Sequence, residues 1–263
     1  MGILLERFRQ KHRTMAYPDG PAPDLPERWR GEPDIDAAAF RGAANETADG
    51  AGYCPTGALA LSGERPTLDA GRCLFCGACA ASGPKGGVSF SRRFAMARFT
   101  REGLVRGAAA ATGGAANAAR LAEIRGLFGK SLKLRQVSAG GCNACEADCN
   151  VLGTLAWDMG RFGLSFAASP RHADGILVTG PVTDNMTLAL EKTYAAVATP
   201  KVVIAVGACA VSGGLYGDGG RGVLEGMFPV DLFVPGCPPH PLVILEGLLR
   251  LIGRVPDLES APR

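Results

Sequence analysis

The chain has no apolar run near the roughly 20 residues that a helix needs to cross a bilayer, so it is expected to be soluble or peripheral to a membrane. It has no Lys/Arg cluster interleaved with aromatic residues, and its formal net charge of +3 with a pI of about 8.4 is too mild to select a nucleic-acid partner. The start, Met1 to Arg13, is charged throughout and lacks a cleavable apolar core, so no signal peptide is expected. The nine cysteines are therefore not read as a secreted disulfide framework, and their odd count agrees with that. Two nucleotide signatures also fail. Gly217-Asp218-Gly219-Gly220-Arg221-Gly222 matches G-x-G-x-x-G by letter but does not directly follow a strand-like run. Gly129-Lys130-Ser131 lacks the upstream glycine of a phosphate loop, whose place is held by Ile124. Neither a nucleotide nor a nucleic acid is expected.

What the chain does have is 263 residues, 47% of them hydrophobic, enough for one or two packed domains. From Leu132 onward, short apolar runs alternate with helix-like segments. Leu132 to Val137, Gly163 to Ala167, Gly175 to Val178, Val202 to Val206 and Val230 to Val234 read as strands. Thr183 to Val197, with Thr183 as N-cap, and Pro241 to Ile252, stopped by Gly253, read as helices. The alternation predicts a parallel sheet with helices on both faces. Three of the strand runs lead into cysteine loops: Gly140-Gly141-Cys142-Asn143-Ala144-Cys145-Glu146, Gly207-Ala208-Cys209 and Pro235-Gly236-Cys237-Pro238. Strand ends on one edge of such a sheet can bring these four thiolates to one point, a ligand set for an iron-sulfur cluster or for zinc.

The N-terminal part reads differently. Ile3 to Arg9 suits a short amphipathic helix, packed on its own domain or a partner or else lying on a membrane surface. Tyr17 to Asp36 is rich in proline and charge and reads as an extended strap. The divisions expected are a helix and strap over residues 1–35, a small cysteine-bearing α+β domain over 36–97, an Ala/Gly-rich, partly helical linker over 98–131, and the α/β domain over 132–263.

In a two-cluster bacterial ferredoxin, each C-x-x-C-x-x-C-x-x-x-C-P run gives three cysteines to one cluster and its fourth to the other. Here Cys73, Cys76 and Cys79 carry the second run, but Gly83 stands at its fourth position, before Pro84. The first run ends in Cys54-Pro55, and counting back by the same spacing places Ala44, Thr47 and Gly50 at its first three positions. All four losses belong to one cluster, and all four retained cysteines, Cys54, Cys73, Cys76 and Cys79, belong to the other. One 4Fe-4S cluster is thus expected to be kept and one lost. A zinc knuckle, and with it a non-enzymatic zinc-stabilised scaffold, is the competing reading; zinc sites usually pair two C-x-x-C units, whereas the triplet with a remote Cys-Pro favours the cubane.

Taken together, Cys142-Asn143-Ala144-Cys145-Glu146, Ser169-Pro170-Arg171-His172-Ala173-Asp174, Gly180-Pro181-Val182-Thr183, Gly207-Ala208-Cys209-Ala210-Val211-Ser212-Gly213-Gly214 and Val234-Pro235-Gly236-Cys237-Pro238-Pro239-His240-Pro241 resemble the small subunit of membrane-bound group 4 nickel-iron hydrogenases, as in formate hydrogenlyase, a homologue of the complex I 20 kDa subunit. Tyr17 to Arg93, including Leu25-Pro26-Glu27-Arg28-Trp29-Arg30-Gly31, separately resembles the ferredoxin-type subunit of the same complexes, so the chain looks like a fusion. The resemblance implies a flavodoxin-like α/β domain preceded by a ferredoxin-like one. It implies a proximal 4Fe-4S cluster on Cys142, Cys145, Cys209 and Cys237, and it makes the surviving ferredoxin cluster the inner of the usual pair. Complex I subunits use adjacent cysteines where this chain has C-x-x-C, which favours the hydrogenase branch over a quinone-reducing module. The implied partners are a large subunit holding the nickel-iron centre, membrane-arm subunits and an electron-donor or acceptor protein, at the cytoplasmic face of the inner membrane. The implied role is that of an oxidoreductase subunit that transfers electrons and carries no bond-making catalytic residue of its own. Cys149 reads as a small buried hydrophobe. Glu146 and His172 each admit a tuning or relay role beside a plain structural one.

Overall fold

The computed structural model describes residues 2–10, 13–41, 53–60, 66–107, 114–216 and 224–257. Ala44, Thr47 and Gly50, and the Gly217-to-Gly222 run, lie outside the described residues.

The first part of the chain forms α1 (Ile3–Gln10), β1 (Pro33–Ile35), α2 (Ala37–Arg41), β2 (Leu59–Ala60), β3 (Thr67–Asp69), α3 (Ala78–Ser82), β4 (Val88–Phe90) and β5 (Val105–Arg106). Its strands make two small antiparallel sheets, β1 with β4 and β2-β3-β5. In α1 the apolar side chains of Ile3, Leu4 and Phe8 stand out in solvent. A small core of Phe40, Leu59, Leu68 and Val88 includes Cys73 and Cys79.

The second part forms α4 (Gly114–Phe128), β6 (Leu132–Ser138), α5 (Ala144–Asn150), β7 (Leu164–Phe166), β8 (Gly175–Thr179), α6 (Asp184–Ala196), β9 (Val202–Val206), α7 (Ala208–Ser212), β10 (Leu232–Val234) and α8 (Pro241–Leu251). The sheet has five strands in the order β10-β9-β8-β6-β7, every neighbouring pair parallel. Counted from β6, this is the flavodoxin-like order 2-1-3-4-5, with its switch point between β6 and β8. Along β9, Val202, Ile204 and Val206 enter one core with α4 and α8, while Val203 and Ala205 enter the other with α6 and α7. Burial on both faces explains why β8 and β9 read as nearly unbroken apolar runs, whereas β6 interleaves Lys133, Arg135 and Gln136 with its buried Leu132, Leu134 and Val137. Each fully buried Leu, Ile or Val contributes about 1.5–3 kcal/mol through loss of water contact.

The stretch expected to be a linker also carries structure that sequence periodicity could not reveal. Arg98 bridges to Phe233 in both directions, N–H to carbonyl at 2.9 Å and carbonyl from N–H at 2.8 Å, and so extends the β10 edge. Val105 and Arg106 complete the small β2-β3-β5 sheet, and two paired residues carry no period to read. Charges fasten the same seam. Glu32, 8% exposed, pairs with Arg93 at 3.1 Å and with Arg98 and Arg106. Burial, then the Arg106 charge, pulls the Arg98 guanidinium down to about 10 against the opposing pull of Glu32. Arg250, 1% exposed, takes Glu246 through Nε at 3.0 Å and donates Nη1 to the Ala97 carbonyl at 2.8 Å. Burial raises the Glu246 carboxyl against the lowering pull of Arg250, so groups this deep depend on being paired and hydrogen-bonded.

Candidate metal centres

Cys54, Cys73, Cys76 and Cys79 line one cavity together with Tyr53, Leu68 and Phe90. The backbone is shaped to serve the sulfurs. Phe75 has φ of +54° and Gly77 φ of +81°, left-handed turns that fold the C-x-x-C-x-x-C run back on itself. The Phe75 N–H donates to Cys73 Sγ at 3.3 Å, and the Ala58 N–H donates to Cys54 Sγ at 3.3 Å. Thr56 Oγ1 lies 3.5 Å from Cys54 Sγ and donates to the Arg72 carbonyl at 2.8 Å, tying the remote cysteine to the triplet. Burial raises the Cys54 thiol, but hydrogen bonds from Thr56 and neighbouring N–H groups outweigh it, and the net shift is downward. Cys73, with less compensation, is pushed up to about 12 by burial and then by the nearby Cys54, Cys79 and Cys76 charges.

The second group sits at the carboxyl edge of the sheet, on the loops after β6, β9 and β10. Cys142 and Cys145 flank the start of α5, Cys209 lies in the first turn of α7, and Cys237 follows β10. Close backbone approach makes glycine necessary here. Gly180, with φ of +76°, would put a Cβ 2.4 Å from the Gly141 nitrogen, so the loops after β6 and β8 meet glycine on glycine. Gly207, with φ of +91°, would put one 2.6 Å from Cys145 Sγ. The Ala208 N–H donates to the Gly236 carbonyl at 2.8 Å, which ties the Cys209 loop to the Cys237 loop. The Cys209 thiol is raised by burial and then by the Cys237, Cys142 and Glu146 charges; Cys145 is raised by burial, then by Glu146, Cys149, Cys209 and Cys237. Glu146 is 6% exposed and accepts from Thr179 Oγ1 at 2.7 Å. Burial raises its carboxyl, but hydrogen bonds from Ser138 and Thr179 bring the net shift below the usual range. Cys149 is fully buried in the sheet core, pushed up to about 12 by burial and then the Glu146 and Asp148 charges. Arg171 and His172 are exposed on the turn after β7.

Two groups of four cysteines, each with glycine turns or N–H donors directed at sulfur, are donor sets suited to soft metal centres. Among the described residues, no three His, Cys, Asp or Glu side chains are gathered to hold a single metal ion. The groups are joined directly. Ser212 Oγ on α7 donates at 3.0 Å to the Gly71 carbonyl, two residues before Cys73. Trp29 from the strap and Trp157 both stand edge-on to His240, three residues after Cys237. Trp29 and His240 each belong to a motif visible in the sequence, but nothing in either motif pairs one with the other.

Four cysteines on three strand-end loops of a flavodoxin-topology sheet define a class of α/β subunit with a candidate metal centre at its carboxyl edge. The particular family follows from comparison: residues 142–251 match the family described as NADH ubiquinone oxidoreductase, 20 Kd subunit, and this chain belongs to it. The probable membrane-bound hydrogenase subunit mbhJ of Pyrococcus furiosus is 39% identical over 138 residues, 52% of this chain and 83% of that protein. An NADH-quinone oxidoreductase subunit of Citrifermentans bemidjiense is 40% identical over 118 residues, 44% of this chain and 68% of that protein. A chain of the membrane-bound sulfane sulfur reductase, an archaeal respiratory membrane complex, superposes with a TM-score of 0.43 at 32% identity, covering 49% of this chain and 73% of that one. Among the described residues, no helix is long and apolar enough to cross a membrane.

Proposed function

We propose that this chain is the electron-transfer subunit of a membrane-associated hydrogenase-type complex of the group 4 kind, formed by fusing a ferredoxin-type subunit to a 20 kDa-type subunit. The observation that carries the reading is the pairing of two four-cysteine groups in one polypeptide, tied to each other through Ser212 and Gly71. Cys54, Cys73, Cys76 and Cys79 hold the first 4Fe-4S cluster, and Cys142, Cys145, Cys209 and Cys237 hold the second, proximal one. When bound, the clusters supply one-electron chemistry at low potential. The protein's own work is to fix the sulfurs, aim N–H groups at them and exclude water; no side chain makes or breaks a substrate bond. With both centres filled, the chain would link a donor or acceptor protein at the N-terminal centre to a large nickel-iron subunit at the proximal one, with membrane-arm subunits completing the assembly at the cytoplasmic face. The domain divisions at about residues 36, 98 and 132 follow from the same reading.

The similarity to the NADH-quinone oxidoreductase subunit of Citrifermentans bemidjiense supports a second reading, a quinone-reducing module whose large partner holds no nickel. Anaerobic isolation of the intact complex through a tag on this chain, with nickel and iron assayed together, separates the two. Nickel in a large partner subunit is the expected result. An iron-bearing complex without nickel that reduces a quinone would replace the first reading with the second. Zinc in place of iron would leave only a scaffold.

A further inference from the structure

Trp29 and Trp157 are the two tryptophans of the chain, and both put their rings against one histidine. The Trp29 and His240 centroids are 5.0 Å apart with planes at 89°, and those of Trp157 and His240 are 5.6 Å apart at 77°. His240 is itself fixed, because its Nδ1 accepts the Leu242 N–H at 3.2 Å as the N-cap of α8, just past the Cys237 loop. On the other side, Arg30 donates Nη1 at 3.1 Å to the carbonyl of Phe75, which lies between Cys73 and Cys76. Phe75 packs against both the small N-terminal core and the core under the sheet, and Trp29 packs against the latter. The adjacent residues Trp29 and Arg30 therefore each grip the loop of a different cysteine group.

We propose that Trp29 is a positioning residue: seated on His240 while Arg30 holds the Phe75 carbonyl, it sets the separation of the two cysteine groups across which an electron passes. The inference rests on the two-cluster reading given above. In that step one electron leaves one cysteine-held centre and arrives at the other; no side chain is oxidised and no proton moves. Transfer of this kind falls steeply as the gap widens, so a rigid wedge with only two side-chain torsions suits the place better than a flexible contact of equal area. The strap that delivers Trp29 has little regular structure of its own, and burying this ring is a reason for it to follow one path.

The test uses the full chain with its iron, purified anaerobically, in the forms wild type, Trp29→Ala, Trp29→Phe and Arg30→Gln. Three quantities are read: iron per chain, the midpoint potential of each centre, and the magnetic splitting between the two reduced centres by electron paramagnetic resonance. Trp29→Ala is expected to keep iron and both potentials but weaken the splitting, and Trp29→Phe is expected to bring it back toward the wild-type value. Splitting in Trp29→Ala equal to wild type overturns the proposal, as does iron loss in both Trp29 variants, which marks an ordinary structural role. Should Trp29→Ala fail to fold, Arg30→Gln, at an exposed position, is expected to weaken the splitting, and an unchanged splitting there overturns the proposal. A wild-type chain without two reducible centres would instead remove the two-cluster reading, before any variant is compared.

Discussion

Cys54, Cys73, Cys76 and Cys79 fall within one short stretch with little core around it, whereas Cys142, Cys145, Cys209 and Cys237 come from three loops set by a buried sheet. Among the described residues the N-terminal core has seven members and two are the cysteines Cys73 and Cys79, so two of the proposed ligands are also part of its packing. The second group stands on loops after β6, β9 and β10, of which β9 and β10 are buried throughout, above two cores made mostly of aliphatic side chains. On the two-cluster reading proposed above, a small domain with so little apolar area would depend on its metal centre for its fold, and a sheet of this size would not.

The largest effect expected from this contrast is on loss of iron. Stripping the metal anaerobically should abolish amide exchange protection across β2, β3 and α3 while β6, β8 and β9 stay protected. Simultaneous loss in both regions would erase the distinction. Next in size is the seam between the regions. Glu246→Ala leaves Arg250 buried without its counter-charge and should cost about 3–5 kcal/mol in denaturant unfolding. Because Arg250 also holds the Ala97 carbonyl, the variant should loosen the N-terminal region first, and a loss below about 1 kcal/mol would show the pair to be dispensable. The smallest effect sharpens the comparison within one site. Thr56→Val removes the hydroxyl that links Cys54 to the Arg72 carbonyl, and should cost about 1 kcal/mol and shift the potential of the N-terminal centre alone. A shift of the proximal centre by the same substitution would mean the sites are not separately tuned.

The two regions also differ in how much can be read from residues alone. Val202 to Val206 emerges intact as β9 because burial on both faces leaves an unbroken apolar run. Neighbouring runs are trimmed for local reasons. Gly163 leaves β7 with φ of +81°, and Asp231 spends its carboxylate on the Val203 N–H at 2.9 Å and on Arg120 at 2.8 Å just before β10 begins at Leu232. Thr183 occupies the N-cap of α6, yet its hydroxyl lies 3.4 Å from the Ala139 carbonyl, as a donor to that loop. The cysteine groups are legible because ligand spacing is a local property and strand order brings loops to a common edge. The contacts across the seam are not: Trp29 with His240, Gly71 with Ser212 and Glu32 with its arginines join residues far apart in the chain, with no period or motif to couple them.

The central claim, two separate thiolate-held centres in one chain, is tested most directly by Cys54→Ser under anaerobic conditions, with iron, acid-labile sulfide and reduced-state electron paramagnetic resonance measured together. Wild type should hold about eight irons per chain; the variant should hold about four, having lost the N-terminal signal and kept the proximal one. A variant that retains both signals and all its iron would contradict the assignment.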